Sequence, residues 1–351
     1  MSKAYTISRK ELFNWLNNLT RAFDIFGPVK KKRGQVVFEQ VNNAEDLDLG
    51  YCSTMLGPRQ FIYPSRQRLF QMDRKTGLSQ TTPTEDDGKR LVFAIHPCDM
   101  HAISVLDRTF LADFKDAYYR KLRESTLTVV LNCNQACDSG FCASMGAGPF
   151  LRLRDGFDVV LTAIAGNYLI ESASQKGERI VEKAKGLKNA TEKDFSEKKK
   201  IESRAEKSFT KQLDTNNLPE LLMRKANHPV YKQTADARCL GCTNCTMVCP
   251  TCFCYSIEDC TSFDLKSTTR SRYWDSCQEL NFARVHEGNF RASRQARLRQ
   301  FVTHKLATWV EQYGCFGCVG CGRCMTWCPT GIDLTEMAKE IQQDVKVGRA
   351  R

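Results

Sequence analysis

Three features of the sequence predict an α/β domain at the N-terminal end and a mainly helical, cysteine-rich domain at the C-terminal end. Two compact apolar runs, 91–95 and 126–131, flank a stretch with helical spacing, the pattern of a strand–helix–strand unit. A lysine- and glutamate-rich segment with few aromatics follows from about residue 172. Near the C-terminal end, two cysteine runs repeat the same gaps. The expected division is 1–171 for the α/β domain, 172–235 for a charged helical connection, and 236–351 for the cysteine-rich domain.

Residues 8–26 carry Leu12, Phe13, Leu16, Leu19, Phe23 and Phe26 at helical spacing, with Ser8 ahead of Glu11 as a capping box. An amphipathic helix is expected there. The alternating stretch 35–41 reads as a strand. Residues 50–70 mix aromatics, prolines and arginines without a clear period, and Cys52 among them reads as a small buried hydrophobe. The apolar runs 91–95 and 126–131 deliver Cys98 and Cys133 beyond the carboxyl ends of two expected parallel strands, where functional groups of α/β folds gather. Residues 102–114 supply the helix between them.

After the second run come Cys133, Cys137 and Cys142, and with Cys98 they make four thiols that can converge on a metal cluster or stay as buried, redox-active groups. The glycines of Met145-Gly146-Ala147-Gly148-Pro149 permit close backbone approach but lack the spacing of a dinucleotide fingerprint. Residues 157–162 and 168–171 are expected strands around a Gly166-Asn167 turn. Residues 172–211 should form solvated helices with i, i+4 ion pairs, and Lys198, Lys199 and Lys200 a solvated face.

The first cysteine run is Cys239, Cys242, Cys245 and Cys249, followed by Pro250; the second is Cys318, Cys321, Cys324 and Cys328, followed by Pro329. Three thiolates spaced three residues apart can wrap one side of a 4Fe-4S cube, and in two-cluster ferredoxins the fourth cysteine of each run serves the other cluster. The expected ligand sets are therefore Cys239, Cys242, Cys245 and Cys328 for one cluster, and Cys318, Cys321, Cys324 and Cys249 for the other. The fold class follows: an α/β N-terminal domain, then a mainly helical ferredoxin-like domain with two 4Fe-4S clusters. On this count Cys98, Cys133, Cys137 and Cys142 are candidates for a third.

A single zinc ion needs four thiolates and has no use for the third cysteine of each run or its trailing Cys-Pro. Each proline lacks an N–H and ends its ligand loop. Cys315 stands one more interval of three before the second run, and Cys318 is preferred because it lies at the ferredoxin distance from Cys328. Cys252, Cys254, Cys260 and Cys277 read as thiols packed beside clusters, with Phe253 and Trp274 excluding water. The basic stretch Arg284, Arg291, Arg294, Arg297, Arg299 and Lys305 reads as a helix that offsets the negative charge of the clusters and bonds nearby carboxylates.

The chain has 351 residues, 42% hydrophobic and 26% charged, an ordinary globular balance. Its 18 cysteines, with no export signal and no apolar run of membrane length, suit metal ligation in a reducing, cytoplasmic setting. Lysine and arginine outnumber acidic residues 52 to 40, but the excess is scattered without a nucleic-acid module, so protein partners are expected.

Several strings taken together, IHPCDMHAISVLDRTF, CASMGAGP with GFDVVLT, CLGCTNCTMVCPTCFC, YWDSC, ARLRQFVTHK and CVGCGRCMTWCPTGID, resemble the beta subunits of sulfhydrogenases and the 4Fe-4S dicluster subunits of anaerobic sulfite reductases. The resemblance spans residues 51–333. It implies a 4Fe-4S electron-transfer subunit working between a flavoprotein subunit that binds NAD(P) and a terminal reductase or hydrogenase subunit. The Cys98 segment also resembles the cluster-approaching region of the deazaflavin-dependent hydrogenase beta family. Cys52 and Cys315 depart from the family pattern. Two further readings stay open: a catalytic or flavin-adjacent reductase subunit using Cys98, Cys133, Cys137 and Cys142, and a structural zinc protein.

Overall fold

The computed structural model describes residues 3–77, 79–81 and 89–349. In its first part run β1 (Ala4–Ser8), α1 (Arg9–Leu19), β2 (Asp24–Lys30), β3 (Val36–Gln40), β4 (Arg66–Asp73), β5 (Ser79–Thr81), β6 (Arg90–Ile95), α2 (Pro97–Phe110), α3 (Ala117–Ser125), β7 (Thr126–Leu131), β8 (Val159–Ile164), β9 (Asn167–Ser172), α4 (Gln175–Val181), β10 (Lys188–Asn189) and α5 (Glu192–Lys207). One sheet has the order β10-β1-β9-β8-β7-β6-β2-β3. Within it β2, β6, β7 and β8 are parallel neighbours, and the other pairings are antiparallel. Because a parallel sheet is covered on both faces, β6 and β7 are buried almost throughout. Leu12, Trp15 and Leu16 of α1 and Met100, Ile103 and Leu106 of α2 share this core.

The N-terminal helix is shorter than its apolar spacing suggested. Ser8 Oγ accepts from the Glu11 N–H as expected, but the helix stops at Leu19, and Asp24 N–H bonds Lys89 O to start β2. Phe26 therefore belongs to a strand paired with β6; cross-strand pairing overrides helical periodicity here. Helix α5 lies back on the sheet, with Ile201 and Ala205 packed against Phe150, Ile164 and Leu169. Its ion pairs reach across elements and not along the helix: Lys198 binds Glu171, and Arg152 binds Glu202 and Glu206. Lys198 thus leaves the solvated face expected of it.

The second part holds α6 (Leu218–Arg224), α7 (Pro229–Ala237), α8 (Asn244–Met247), β11 (Tyr255–Thr261), β12 (Ser267–Trp274), β13 (Arg284–Val285), β14 (Gly288–Asn289), α9 (Arg294–Thr303), a π-helical turn His304–Thr308, α10 (Trp309–Tyr313), α11 (Arg323–Thr326) and α12 (Leu334–Arg349). Helices α6, α7, α9 and α12 share a second core built from Leu222, Tyr231, Val302, Leu306 and Ile341. This part is not helical alone. Strands β11 and β12 join β4 and β5 in a four-stranded sheet ordered β11-β12-β4-β5, so the segment between the two cysteine runs pairs with the N-terminal part. Among the described residues, no helix is long and apolar enough to cross a membrane.

Candidate cluster-binding site

The two cysteine runs adopt the same backbone shape. In the first, Gly241 and Thr243 have φ of 67° and 67°; in the second, Gly320 and Gly322 have 66° and 77°. A left-handed residue before each of α8 and α11 turns the chain so that three cysteines face one side, and glycine takes that conformation without a Cβ penalty. Thr243 is a β-branched residue held there, a strained choice that the surrounding loop has to enforce. Each run ends in Cys-Pro-Thr, with the threonine hydroxyl near the cysteine sulfur: Cys249 Sγ to Thr251 Oγ1 at 3.2 Å and Cys328 Sγ to Thr330 Oγ1 at 3.4 Å. The repeat extends beyond the cysteine spacing into the backbone and the hydroxyl contacts.

Two apolar cavities lie between the runs. One is lined by Cys239, Cys242, Cys245 and Cys328, with Leu298, Phe301, Val302 and Met337. The other is lined by Cys249, Cys318, Cys321 and Cys324, with Phe301, Lys305 and Leu334. The last cysteine of each run therefore borders the cavity of the other run, and Phe301 and Leu334 wall both. Cys324 borders the first cavity as well. Among the described residues, no three His, Cys, Asp or Glu side chains are set to hold one metal ion. A ring of soft thiol donors around an apolar void fits an iron–sulfur cube, whose irons each take one thiolate.

The electrostatics of the second cavity centre on Lys305. Its Nζ bonds Thr251 Oγ1 at 2.7 Å, and that hydroxyl donates to Gly317 O at 2.6 Å. Burial opposes its charge, but the sulfurs of Cys249, Cys252 and Cys318 outweigh burial and raise its pKa above the usual lysine value. The Cys249 thiol is held well below the ordinary range, first by the hydrogen bond with Cys252 and then by Lys305 and Thr251. Burial pushes Cys318 up to about 12. Lys305 belongs to the π-helical turn, a local widening that recurs at functional sites.

The α/β part grips the second run directly. Arg323, inside that run, donates to both Asp99 oxygens at 2.6 and 2.8 Å and to Thr54 O at 2.7 Å, with both ionic side chains almost wholly buried. Phe141 N–H bonds Gly320 O at 2.7 Å, and a Cβ on Gly320 would stand 2.7 Å from Cys142 Cα. Arg59 reaches Met247 O at 3.1 Å and stacks on Trp274 at 3.8 Å, which ties the first run to the same part.

Of the candidate third set, Cys98, Cys133 and Cys142 are free thiols raised first by burial: Asp99 and Cys142 raise Cys98 and Cys133 further, and Cys142, with Cys321 beside it, reaches about 12. Cys137 is placed differently. It is bonded to Cys52 in a disulfide, so Cys52 is an exposed half of that bond and not the buried hydrophobe expected from its neighbours. The pairing joins positions 85 residues apart, which local sequence could not reveal. Both line a cleft of about 480 Å³ at the carboxyl ends of the parallel strands, with Arg9, His96, Asn132 and Cys133. Ala94, in β6 near this cleft, has the left-handed φ of 58° at a bulge in the pairing with β7.

Other expectations resolve by position. Cys315 stands apart from both cavities, near Arg108, whereas Cys318 lines one. Cys252 shares a hydrogen bond with Cys249 and Cys254 one with Cys277, all four being free thiols, and Cys260 is exposed on β11. Phe253 packs on Trp309, and Trp274 packs on Arg59; neither borders the two cysteine-lined cavities. Phe301 and Leu334 border both cavities, and sequence reasoning singled out neither. The expected basic helix begins only at Arg294, and its arginines bond backbone carbonyls instead of carboxylates: Arg294 to Cys239 O, Arg297 to Ala292 O, and Arg299 to Ala226 O.

Comparison with known proteins agrees with this geometry. Residues 238–332 match the model of a 4Fe-4S dicluster domain. The chain is 33% identical to sulfhydrogenase 2 subunit beta of Pyrococcus furiosus over 337 residues, 95% of this chain and 96% of that protein.

Proposed function

The chain belongs to the sulfhydrogenase beta-subunit family, and from that premise we propose that it is the iron–sulfur relay of a multisubunit oxidoreductase, set between a flavoprotein subunit that binds NAD(P) and a terminal hydrogenase or sulfite-reductase subunit. The observation that carries the reading is the pair of cavities, each bordered by three cysteines of one run and the last of the other. In this reading Cys239, Cys242, Cys245 and Cys328 hold one 4Fe-4S cluster, and Cys318, Cys321, Cys324 and Cys249 hold the second. When bound, such clusters supply one-electron transfer. The protein's own residues fix the thiolates, exclude water with Phe301 and Leu334, and offset negative charge with Lys305. Sixteen of its eighteen cysteines are free, which suits a complex kept in a reducing, cytoplasmic setting.

A second reading adds chemistry at Cys98, Cys133 and Cys142, with Cys137 freed from Cys52. The cleft lined by Cys133 and Cys137 favours it, as a third cluster or a flavin-adjacent reductase site. Anaerobic purification tests both: about eight irons and eight labile sulfides per chain support two clusters, and about twelve support three. A relay on its own shows no turnover with NAD(P)H or sulfur compounds. Turnover by the isolated chain would replace the relay reading with the catalytic one, and fewer than about four irons would end both.

A further inference from the structure

Of the eight cysteines assigned above, seven are buried or half-buried, and Cys242 is exposed. Its neighbour Leu240 is 63% exposed and borders the same apolar cavity. Phe290, 79% exposed, stands on the same side. The link is Arg297: one of its guanidinium nitrogens lies 3.6 Å from where a Cβ of Gly241 would be, and another holds Arg291 O and Ala292 O, the residues that follow Phe290. Leu280 and Val285, each about half exposed, continue the apolar surface around the β13–β14 hairpin.

The charge framing this surface is positive. Arg238 is exposed and bonds Thr330 O, beside the last cysteine of the second run, at 2.9 Å. Arg294 is exposed and bonds Cys239 O at 3.0 Å. The acidic groups nearby are Asp236, already paired with Lys232, Glu279, which accepts from the Asn281 N–H, and Glu287 on the hairpin. The corresponding loop of the second run is covered, because Gly320 and Gly322 are pressed against the backbone of residues 139–142.

We propose that the face around Leu240, Cys242 and Phe290, framed by Arg238 and Arg294, is the docking surface for a redox protein with an acidic face, which brings its own centre up to the first cluster. The inference rests on the relay reading and names the kind of partner that reading needs. Apolar contact supplies the close approach, and the arginines select and steer an acidic partner. One electron leaves the reduced chain and one ferric or oxidised centre of the partner is reduced; no proton or group moves.

The test uses two haem proteins as probes, acidic cytochrome b5 and basic cytochrome c, with the cluster-loaded chain reduced by dithionite and mixed anaerobically in a stopped-flow instrument. Expected is haem reduction at least tenfold faster for cytochrome b5, falling about tenfold between 50 and 300 mM NaCl as screening sets in. Phe290→Asp should slow the cytochrome b5 reaction about tenfold, whereas Phe114→Asp, on another exposed phenylalanine, should change it less than twofold. Binding of oxidised cytochrome b5 to the oxidised chain, read by titration calorimetry, should weaken with Phe290→Asp in the same proportion. Equal effects of the two substitutions, or a faster, salt-independent reaction with cytochrome c, would overturn the docking surface. Iron analysis separates the failures: about eight irons with no such selectivity sinks the surface alone, whereas absent iron sinks the relay beneath it.

Discussion

Replacing Asp99 by asparagine should be among the most damaging single substitutions outside the cysteines. The carboxylate is 1% exposed and its partner Arg323 2% exposed, and the two meet in a bidentate pair at 2.6 and 2.8 Å. Removing one member of such a pair leaves a guanidinium buried with half its partners, a loss of about 3–5 kcal/mol. Asparagine can still accept one hydrogen bond, and Thr54 O still takes Arg323 Nε, so the lower end applies, about 3 kcal/mol. For a chain of this size each kcal/mol moves the melting temperature by roughly 1.4 °C, which puts the expected drop at about 4 °C. Anaerobic calorimetry of the cluster-loaded protein measures it. The double substitution Asp99→Leu with Arg323→Met removes both charges and should recover at least half of the loss. A drop under about 1 °C for Asp99→Asn, or a double variant worse than the single one, would show that the pair does not join the second cysteine run to the α/β part.

Three further outcomes follow from the site. Cys249→Ala should remove about four irons, and those lost should be the ones that Cys318→Ala also removes, so that the double variant loses no more than either single one; loss of eight in the double variant would refute crossed ligation. Lys305→Met removes the buried cation beside Cys249 and Cys318, so the second centre should become harder to reduce, by about 50–100 mV at an effective dielectric near 20; an EPR-monitored redox titration showing an unchanged or raised potential would contradict this. His101 is pushed down to about 4 by burial, and its Nε2 has no hydrogen-bond partner. The unfolded chain then binds a proton that the folded chain does not as pH falls from about 6.5 towards 4, so stability is lost in that window. His101→Leu should remove about 1 kcal/mol of that loss at pH 5.5, read from urea midpoints at pH 7.5 and 5.5; an equal pH dependence in both proteins would refute it.

The parts of the molecule legible in the sequence were those whose signal is local. The runs at 91–95 and 126–131 are strands because parallel sheets demand continuous apolar stretches, and the 4Fe-4S dicluster match falls on the repeated cysteine gaps. What could not be read depends on contacts between distant positions. Cys52 finds Cys137 across 85 residues, and Asp99, which looks like any helix N-terminal acid, finds Arg323 inside a cysteine run. Phe26 sits in helical register with Leu19 and Phe23 yet pairs as a strand, because a neighbouring strand offers more than one further turn of helix. Lys305 was visible as one charge among six; burial separates it and Arg297 from the rest, and of these two only Lys305 lines the second cavity.

The pairing of β12 with β4 has a consequence for how the molecule is made. Some two hundred residues separate the two strands, and the later one leaves the ribosome only after the first ligand loop and before the second. If the earlier strand is already in place, the nascent hairpin docks and holds the first loop still while its counterpart is being synthesised. Metal loading then becomes a late event that waits for an assembled receptacle, and a fragment starting at the first ligand loop would emerge with no template to close upon.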